Sequence, residues 1–363
     1  MSILGGGGQS VDDPVYVDTL ESLKEVLVDS VNLYKYIAFP EVYDGPKVID
    51  FRSAGWNPIN IQAPPSNANR DKVHVYFNNW TVLGLSMMDS LSPFKTFINV
   101  YEIEMNIYDL IIKNAYILAA TSEATLFNCN EGTADAIINF YRCKFSMCID
   151  AQNSNVTAFH GYANGGYHTG RHMNFYQCSF NVNYVVNTKY LLARLYYQDF
   201  SYGSFTNCIF NIVASHHRGS SGYSGYLVAL CKQMQFCKIV GSIDHINGDE
   251  IDVLELSSTG GSVYNVVDID IIDHVLTSHV ELKFLFNRGT NIINSSKVYK
   301  VPEAGTAVIN KRYSNLTECT TAQMQDKDYL NSIEFICGDT PSDAPPHKRR
   351  LIFITHLRER RCA

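Results

Sequence analysis

Three groups of side chains in this 363-residue chain have the types and spacing to do chemistry. The first is "VDIDIID" (267–273), where Asp268 and Asp270 alternate along a strand-like run. On one strand face they would lie about 6–7 Å apart, a separation at which paired carboxylates can cleave glycosidic bonds. A solvated strand face explains the same two residues without any reaction. The second group is histidine-rich: "HGYANGGYHTGRH" holds His160, His168 and His172, and "SHHRGSSGYSGY" holds His216 and His217. His168 and His172 are four apart, which makes a shared face only on a helix, and the glycines around them argue for a loop. Both segments read as surface loops. Their tyrosines, Tyr162, Tyr167 and Tyr223, suit sugar stacking, because an aromatic face covers C–H patches and leaves hydroxyls to polar neighbours.

The third group is cysteine. Residues 139–145 read "NFYRCKF" and residues 174–180 read "NFYQCSF", five of seven positions agreeing at a distance of 35 residues. "SFTNCIF" (204–210), "QMQFCKI" (233–239) and "VYNVVDI" (263–269) extend the series. Four thiols suit zinc, but zinc needs ligands converging tetrahedrally, and a repeat sets them along a line. There is no C-x₂-C pair, and Val267 is expected to continue the series where a thiol is missing. The thiols therefore read as small buried residues, inert because buried and neutral. No P-loop, G-x-S-x-G, dinucleotide fingerprint or H-E-x-x-H is present, so no cofactor or metal is expected.

The repeat also dictates the elements. Read as strands, alternate residues of each copy share a face. One face would carry Tyr141, Cys143, Phe145; Tyr176, Cys178, Phe180; Thr206, Cys208, Phe210; and Gln235, Cys237, Ile239, with Asn265, Val267 and Ile269 in the last copy. The other face carries Arg142, Lys144, Gln177, Ser179, Asn207, Lys238 and Asp268, mostly soluble. A period of about 30 residues with strand character is the mark of a β-solenoid. The expected fold is an all-β, right-handed, single-stranded parallel β-helix with a cysteine ladder and a Phe/Ile ladder inside.

The remainder of the chain fits that frame. Charged residues make up only 18%, while Tyr (23) and Phe (19) are abundant, a mix that favours strands over exposed helices. A net charge of −7 argues against a general nucleic-acid binder. The start "MSILGGGGQSVDD" lacks the basic and apolar regions of a signal peptide, and no run is long enough for a membrane span. Ten cysteines in such a chain are expected to stay thiols, and sequons at Asn79, Asn155, Asn294 and Asn315 to carry no glycan. One helix is predicted over 18–33, with Asp18 and Glu21 at capping-box spacing and Leu20, Leu23, Leu27 and Val31 on one face. The expected division is a Gly-rich arm and capping helix over 1–40, solenoid over 41–300, a closing segment over 301–340, and a basic tail over 341–363.

A helix near the N-terminus ("TLESLKEVL") leading into coils with "F-x-x-C-x-F" rungs resembles the β-helical surface proteins of tailed bacteriophages, which share the pectate-lyase-like body. The closing "CTTAQMQDKDYLNSIEFICGD" (319–339) is similar to a phrase that ends many such proteins, usually with "SIGF" where this chain has "SIEF". The resemblance implies a virion protein made in the host cytoplasm: a tail spike, fibre or head appendage. It implies a homotrimer that joins other virion proteins through its arm or tail and attaches to host-surface polysaccharide. It names no catalytic residue. The alternative it leaves open is a polysaccharide depolymerase, a lyase or glycoside hydrolase, on the same scaffold.

Overall fold

In the computed structural model the described residues are 7–29, 34–50, 59–62, 72–88, 96–101, 103–119, 125–129, 136–151, 156–161, 171–186, 193–198, 203–217, 233–246, 251–258, 264–273, 280–286, 290–300, 309–314 and 316–335. Tyr162, Tyr167, Tyr223, His168, Val31 and the basic tail lie outside them.

Past the first two strands, each strand pairs not with its chain neighbour but with one a coil further on. Ala136–Tyr141 pairs with Arg171–Tyr176, Lys144–Ala151 with Ser179–Val186, and Val156–Gly161 with Ala193–Gln198, all parallel. Repeating this step builds a solenoid of long parallel sheets. Among the described residues the first sheet has eight strands in the order Val15–Tyr16, Tyr36–Ala38, Lys72–Tyr76, Glu104–Tyr108, Ala136–Tyr141, Arg171–Tyr176, Ser204–Thr206 and Gln233–Gln235. The second has twelve, with Ile111–Ala119, Lys144–Ala151, Ser179–Val186, Ile209–His217, Lys238–Ile246 and Val266–Asp273 at its centre. A third, of five, runs from Ile59–Gln62 to Ala193–Gln198, and three further strands, from Ile251–Ser258 to Ile309–Ser314, form a separate sheet.

The repeated phrase is a corner, not one strand. Its first half ends the first sheet at Tyr141 and its second half begins the second sheet at Lys144. Between them Arg142 takes a left-handed backbone (φ 57°), as do Gln177, Asn207, Phe236 and Tyr264 at the same corner of later coils. The bend reverses the alternation of side chains. Phe140 therefore turns inward together with Cys143 and Phe145, and Tyr141 turns outward. This corrects the expectation that Tyr141, Tyr176, Thr206 and Gln235 face the core: all four are only partly buried.

Three columns fill the interior at this corner. Phe140, Phe175 and Phe205 stack at 4.9 and 4.6 Å, and Phe145, Phe180 and Phe210 at 5.2 and 5.0 Å. Met234 and Ile239 continue the two columns in the next coil. Cys143, Cys178, Cys208 and Cys237 form the third column, all buried. Each thiol reaches a backbone carbonyl of the preceding coil: Cys178 to Phe140 at 3.5 Å, Cys208 to Phe175 at 3.4 Å, Cys237 to Phe205 at 3.5 Å.

The position after Cys237 belongs to Asn265, not Val267. Lys238 pairs with Val266 and Ile239 with Val267, so the expected register of the last copy was displaced by two residues. Asn265 does what the thiols do, its Nδ2 donating to the Met234 carbonyl at 2.8 Å. Its Oδ1 also accepts from the Cys237 N–H at 3.0 Å, and Asn291 repeats the device on Asn265 at 3.1 Å. The slot selects a small buried hydrogen-bond donor, which both Cys and Asn supply.

The N-terminal helix spans Leu20–Val28. Its capping box is Thr19 with Ser22, one residue later than the predicted Asp18 and Glu21: Ser22 N donates to Thr19 Oγ1 at 3.1 Å and Thr19 N to Ser22 Oγ at 3.2 Å. Leu20, Leu23, Val26 and Leu27 enter the same core as the coils. At the other end Met324 and Leu330 of the closing segment pack on Val266, Ile292 and Cys319.

The short helix Lys327–Ser332 closes with Glu334 in the left-handed region (φ 57°). Phe335 N donates to the Leu330 carbonyl at 2.9 Å and Glu334 N to that of Asn331 at 3.0 Å, the two bonds of a Schellman cap. Glycine fits that position without a Cβ penalty. Glu334→Gly is therefore expected to raise stability by up to about 1 kcal/mol, against the usual penalty for adding glycine. A chemical-denaturation midpoint below that of the native chain would contradict this.

Candidate functional site

The corner that turns Phe140 inward turns a different set of residues out. On the exterior of the first sheet Tyr76, Tyr108, Tyr141 and Tyr176 stand in register, their rings stacked at 4.5, 4.8 and 5.0 Å and nearly parallel. Because each ring covers its neighbour's face, the ladder offers its surroundings ring edges and hydroxyls, repeated at the strand spacing. Burial pushes the phenols of Tyr76, Tyr108 and Tyr141 above the usual range, and neighbouring phenols add to it, so the hydroxyls remain protonated donors.

Beside the tyrosines runs an amide column. Asn174 Nδ2 donates to Asn139 Oδ1 at 2.9 Å, and Asn139 Nδ2 to Asn106 Oδ1 at 3.0 Å. Ser204 Oγ donates to Asn174 Oδ1 at 2.8 Å. Glu104 anchors the other end, accepting from Asn106 and Asn139 at 3.2 Å and pairing with Lys72 at 2.9 Å. At the corner Arg142 forms a bidentate pair with Asp109, at 2.8 and 2.7 Å, and its guanidinium lies 5.9 Å from the Tyr108 ring centre.

His74 continues the amide column towards the N-terminal end. Its ring stacks on Tyr36 at 4.9 Å, and its Nδ1 lies 3.2 Å from the Tyr108 hydroxyl. Burial lowers its pKa; Glu104 opposes that shift and Lys72 adds to it. A histidine depressed in the fold adds stability above its unfolded pKa of about 6.5 that is lost as pH falls towards the folded value. The His74 ring resonances are expected to titrate below 6.5 in NMR, and lower still in Glu104→Gln, which takes away the charge that raises it. A midpoint above 6.5 would contradict the burial of this ring.

The residues singled out from sequence are distributed elsewhere. Asp268 and Asp270 share the outward side of Val266–Asp273, and Asp268 Oδ1 accepts from Asn294 Nδ2 at 3.0 Å. His160 and His172 belong to strands, not loops, and His216 and His217 end the strand Ile209–His217. Their backbones are held in register by parallel pairing. Among the described residues, no three His, Cys, Asp or Glu side chains group to hold a metal. Burial pushes the Cys143 and Cys208 thiols well above the usual range. Cys178 lies between them with its thiol donating to the Phe140 and Tyr176 carbonyls, each at 3.5 Å, and the same burial disfavours its thiolate.

Sequence reasoning missed the outward ladder although a signal was present. His74-Val75-Tyr76, Asn106-Ile107-Tyr108, Asn139-Phe140-Tyr141 and Asn174-Phe175-Tyr176 are one triplet of polar, apolar and Tyr residues. The fold and this exterior define a parallel β-solenoid with an outward ladder of stacked phenols beside a largely buried amide column. No protein-family model matches the chain, and neither curated proteins nor solved structures give a match.

Proposed function

We propose that the chain is a virion surface protein of a tailed bacteriophage, a spike, fibre or head appendage, that attaches to polysaccharide on the host surface. The observation that carries this reading is the outward face of the first sheet. Regularly spaced phenol hydroxyls, backed by an amide column in which Asn106 and Asn139 are buried, match a polymer of repeating hydroxylated units, and a rigid sheet holds them in place at little entropic cost on binding. In this reading the coils are right-handed, the helix Leu20–Val28 covers the N-terminal end of the stack, and the protein is a homotrimer joined to other virion proteins by its arm or tail. The burial of the helix's apolar face in the coil core supports the covering role, since an open end would expose strand edges and core. Light scattering on a gel-filtration peak should give three times the chain mass; a monomer at micromolar concentration would contradict the trimer.

A depolymerase on the same scaffold is the second reading, favoured by the shared outward side of Asp268 and Asp270. Incubation with bacterial capsular polysaccharides separates the two. Attachment predicts retention of the protein with the polymer length unchanged. Shortening of the polymer, abolished by Asp268→Asn or Asp270→Asn, would establish the enzyme instead.

A further inference from the structure

Among the described residues, the large apolar side chains left exposed all lie between residues 11 and 48, Val213 excepted. Val42, 93% exposed, leads a patch that continues through Tyr43 and Val48 around Trp80. The Tyr43 ring stands 4.7 Å from that of Trp80, and Val48 pairs with Thr81, the next residue. Val48–Asp50 is also the strand at which the second sheet ends, and no described strand follows it there. The helix Leu20–Val28 lies instead against Ile59–Gln62, at the end of the third sheet. Ile49 packs on the core yet stays partly exposed. A sheet end with a core residue still showing is a template for one more strand.

The chain itself holds a segment with the complementary pattern. "LIFITHL" (351–357) has the β-branched and aromatic residues of a strand and is apolar on both of its alternating faces. It is flanked by "HKRR" (347–350) and "RERR" (358–361), six basic residues against one acid. Around the patch the signs are reversed. Glu41, Asp44 and Asp50 are exposed, and Lys47, the one basic residue among them, donates from Nζ to the Asn78 carbonyl at 3.3 Å. A strand added at Val48 and Ile49 would cover them with apolar side chains and bring its basic ends to these acids. Length decides which copy supplies it. The ten strands in line along the second sheet separate its ends by about 43 Å. Residues 336–350, between the last described residue and the segment, span about 50 Å at full stretch. Reaching the chain's own N-terminal end would take almost all of that length, whereas a copy placed end to end needs little of it.

We propose that residues 351–357 of one copy add as a strand to the sheet end at Val48–Asp50 of another, joining copies end to end. The contact is heterologous, so it extends an assembly instead of closing it, and it does not depend on what the tyrosine face binds. Because seven residues bury less than a standard interface, the contact is weak and is sought with the full chain at about 100 µM. Photo-cross-linking with p-benzoylphenylalanine replacing Phe353 tests it. Irradiation should give covalent dimers whose linked peptide falls within residues 40–50. Excess of a peptide of residues 345–361 should lower the dimer yield about fivefold or more, and Glu41→Lys combined with Asp44→Lys should do the same. Circular dichroism checks that the double variant is folded. The same peptide carrying Ile352→Asn, Phe353→Asn and Ile354→Asn keeps every charge and should not compete. No dimers, links confined to single chains, or dimers joined outside residues 40–50 would each overturn the proposal. Equal competition by the asparagine peptide would also overturn it, by reducing the contact to charge alone.

Discussion

Cys178→Asp is expected to lower the stability of the protein by about 3–5 kcal/mol, the cost of an uncompensated charge in an apolar interior. Cys178 is 1% exposed, and Cys143 and Cys208 are its neighbours in the ladder. Its thiol faces the carbonyls of Phe140 and Tyr176, each at 3.5 Å, which would repel a carboxylate. The aspartate would have to be protonated or to open the corner, and both routes cost free energy. Cys178→Ser keeps a donor of similar size in the slot and is expected to cost much less. Thermal or urea unfolding of the two variants reads the difference directly. A Cys178→Asp protein that melts with the native one would place this residue outside the core.

Asn265→Leu is the second large effect, expected at about 3 kcal/mol or more, since each buried polar group deprived of its bond costs about 1–3 kcal/mol. Asn265 has no exposed surface. The substitution removes the acceptor of the Cys237 N–H and the donors to the Met234 carbonyl and Asn291 Oδ1, and puts a larger side chain in their place. Asn265→Cys is the informative control. It restores the residue of the four preceding coils and a donor for the Met234 carbonyl, so its loss should be the smaller. Equal losses for Leu and Cys, by urea unfolding, would mean that the slot measures volume alone.

These two residues also mark how far the sequence could be read. The interior was legible at Cys143, Cys178, Cys208 and Cys237 because a buried corner admits few side chains and so repeats them. Asn265 was hidden because it answers the same hydrogen-bonding demand with a different residue, which displaced the register by two. Tyr141, Tyr176, Thr206 and Gln235, before the corner, were read with the wrong parity because the alternation reverses there, whereas Lys144, Ser179, Lys238 and Asp268, after it, stand on the expected side. A left-handed residue there is usually signalled by Gly, Asn or Asp. Arg142, Gln177, Phe236 and Tyr264 give no such signal. Tertiary contacts hold them: Arg142 N donates to the Tyr176 carbonyl at 2.9 Å, and Tyr264 N to that of Thr290 at 2.7 Å.

The proposed attachment rests on the ladder of Tyr76, Tyr108, Tyr141 and Tyr176, which stands on a regular sheet; Tyr162, Tyr167 and Tyr223 lie outside the described residues. A sheet site is more rigid than a loop site, and its spacing is set by the coils themselves. The amides of Asn106, Asn139 and Asn174 are tied to one another, which fixes the orientation of the column before any ligand arrives.

Hydroxyl-radical footprinting with and without a retained bacterial polysaccharide tests the central claim most directly. Attachment through the first sheet predicts that Tyr76, Tyr108, Tyr141 and Tyr176 become protected together on binding, while the polymer stays intact. Protection centred on Val266–Asp273 with the tyrosine ladder unchanged would contradict it and move the site to Asp268 and Asp270.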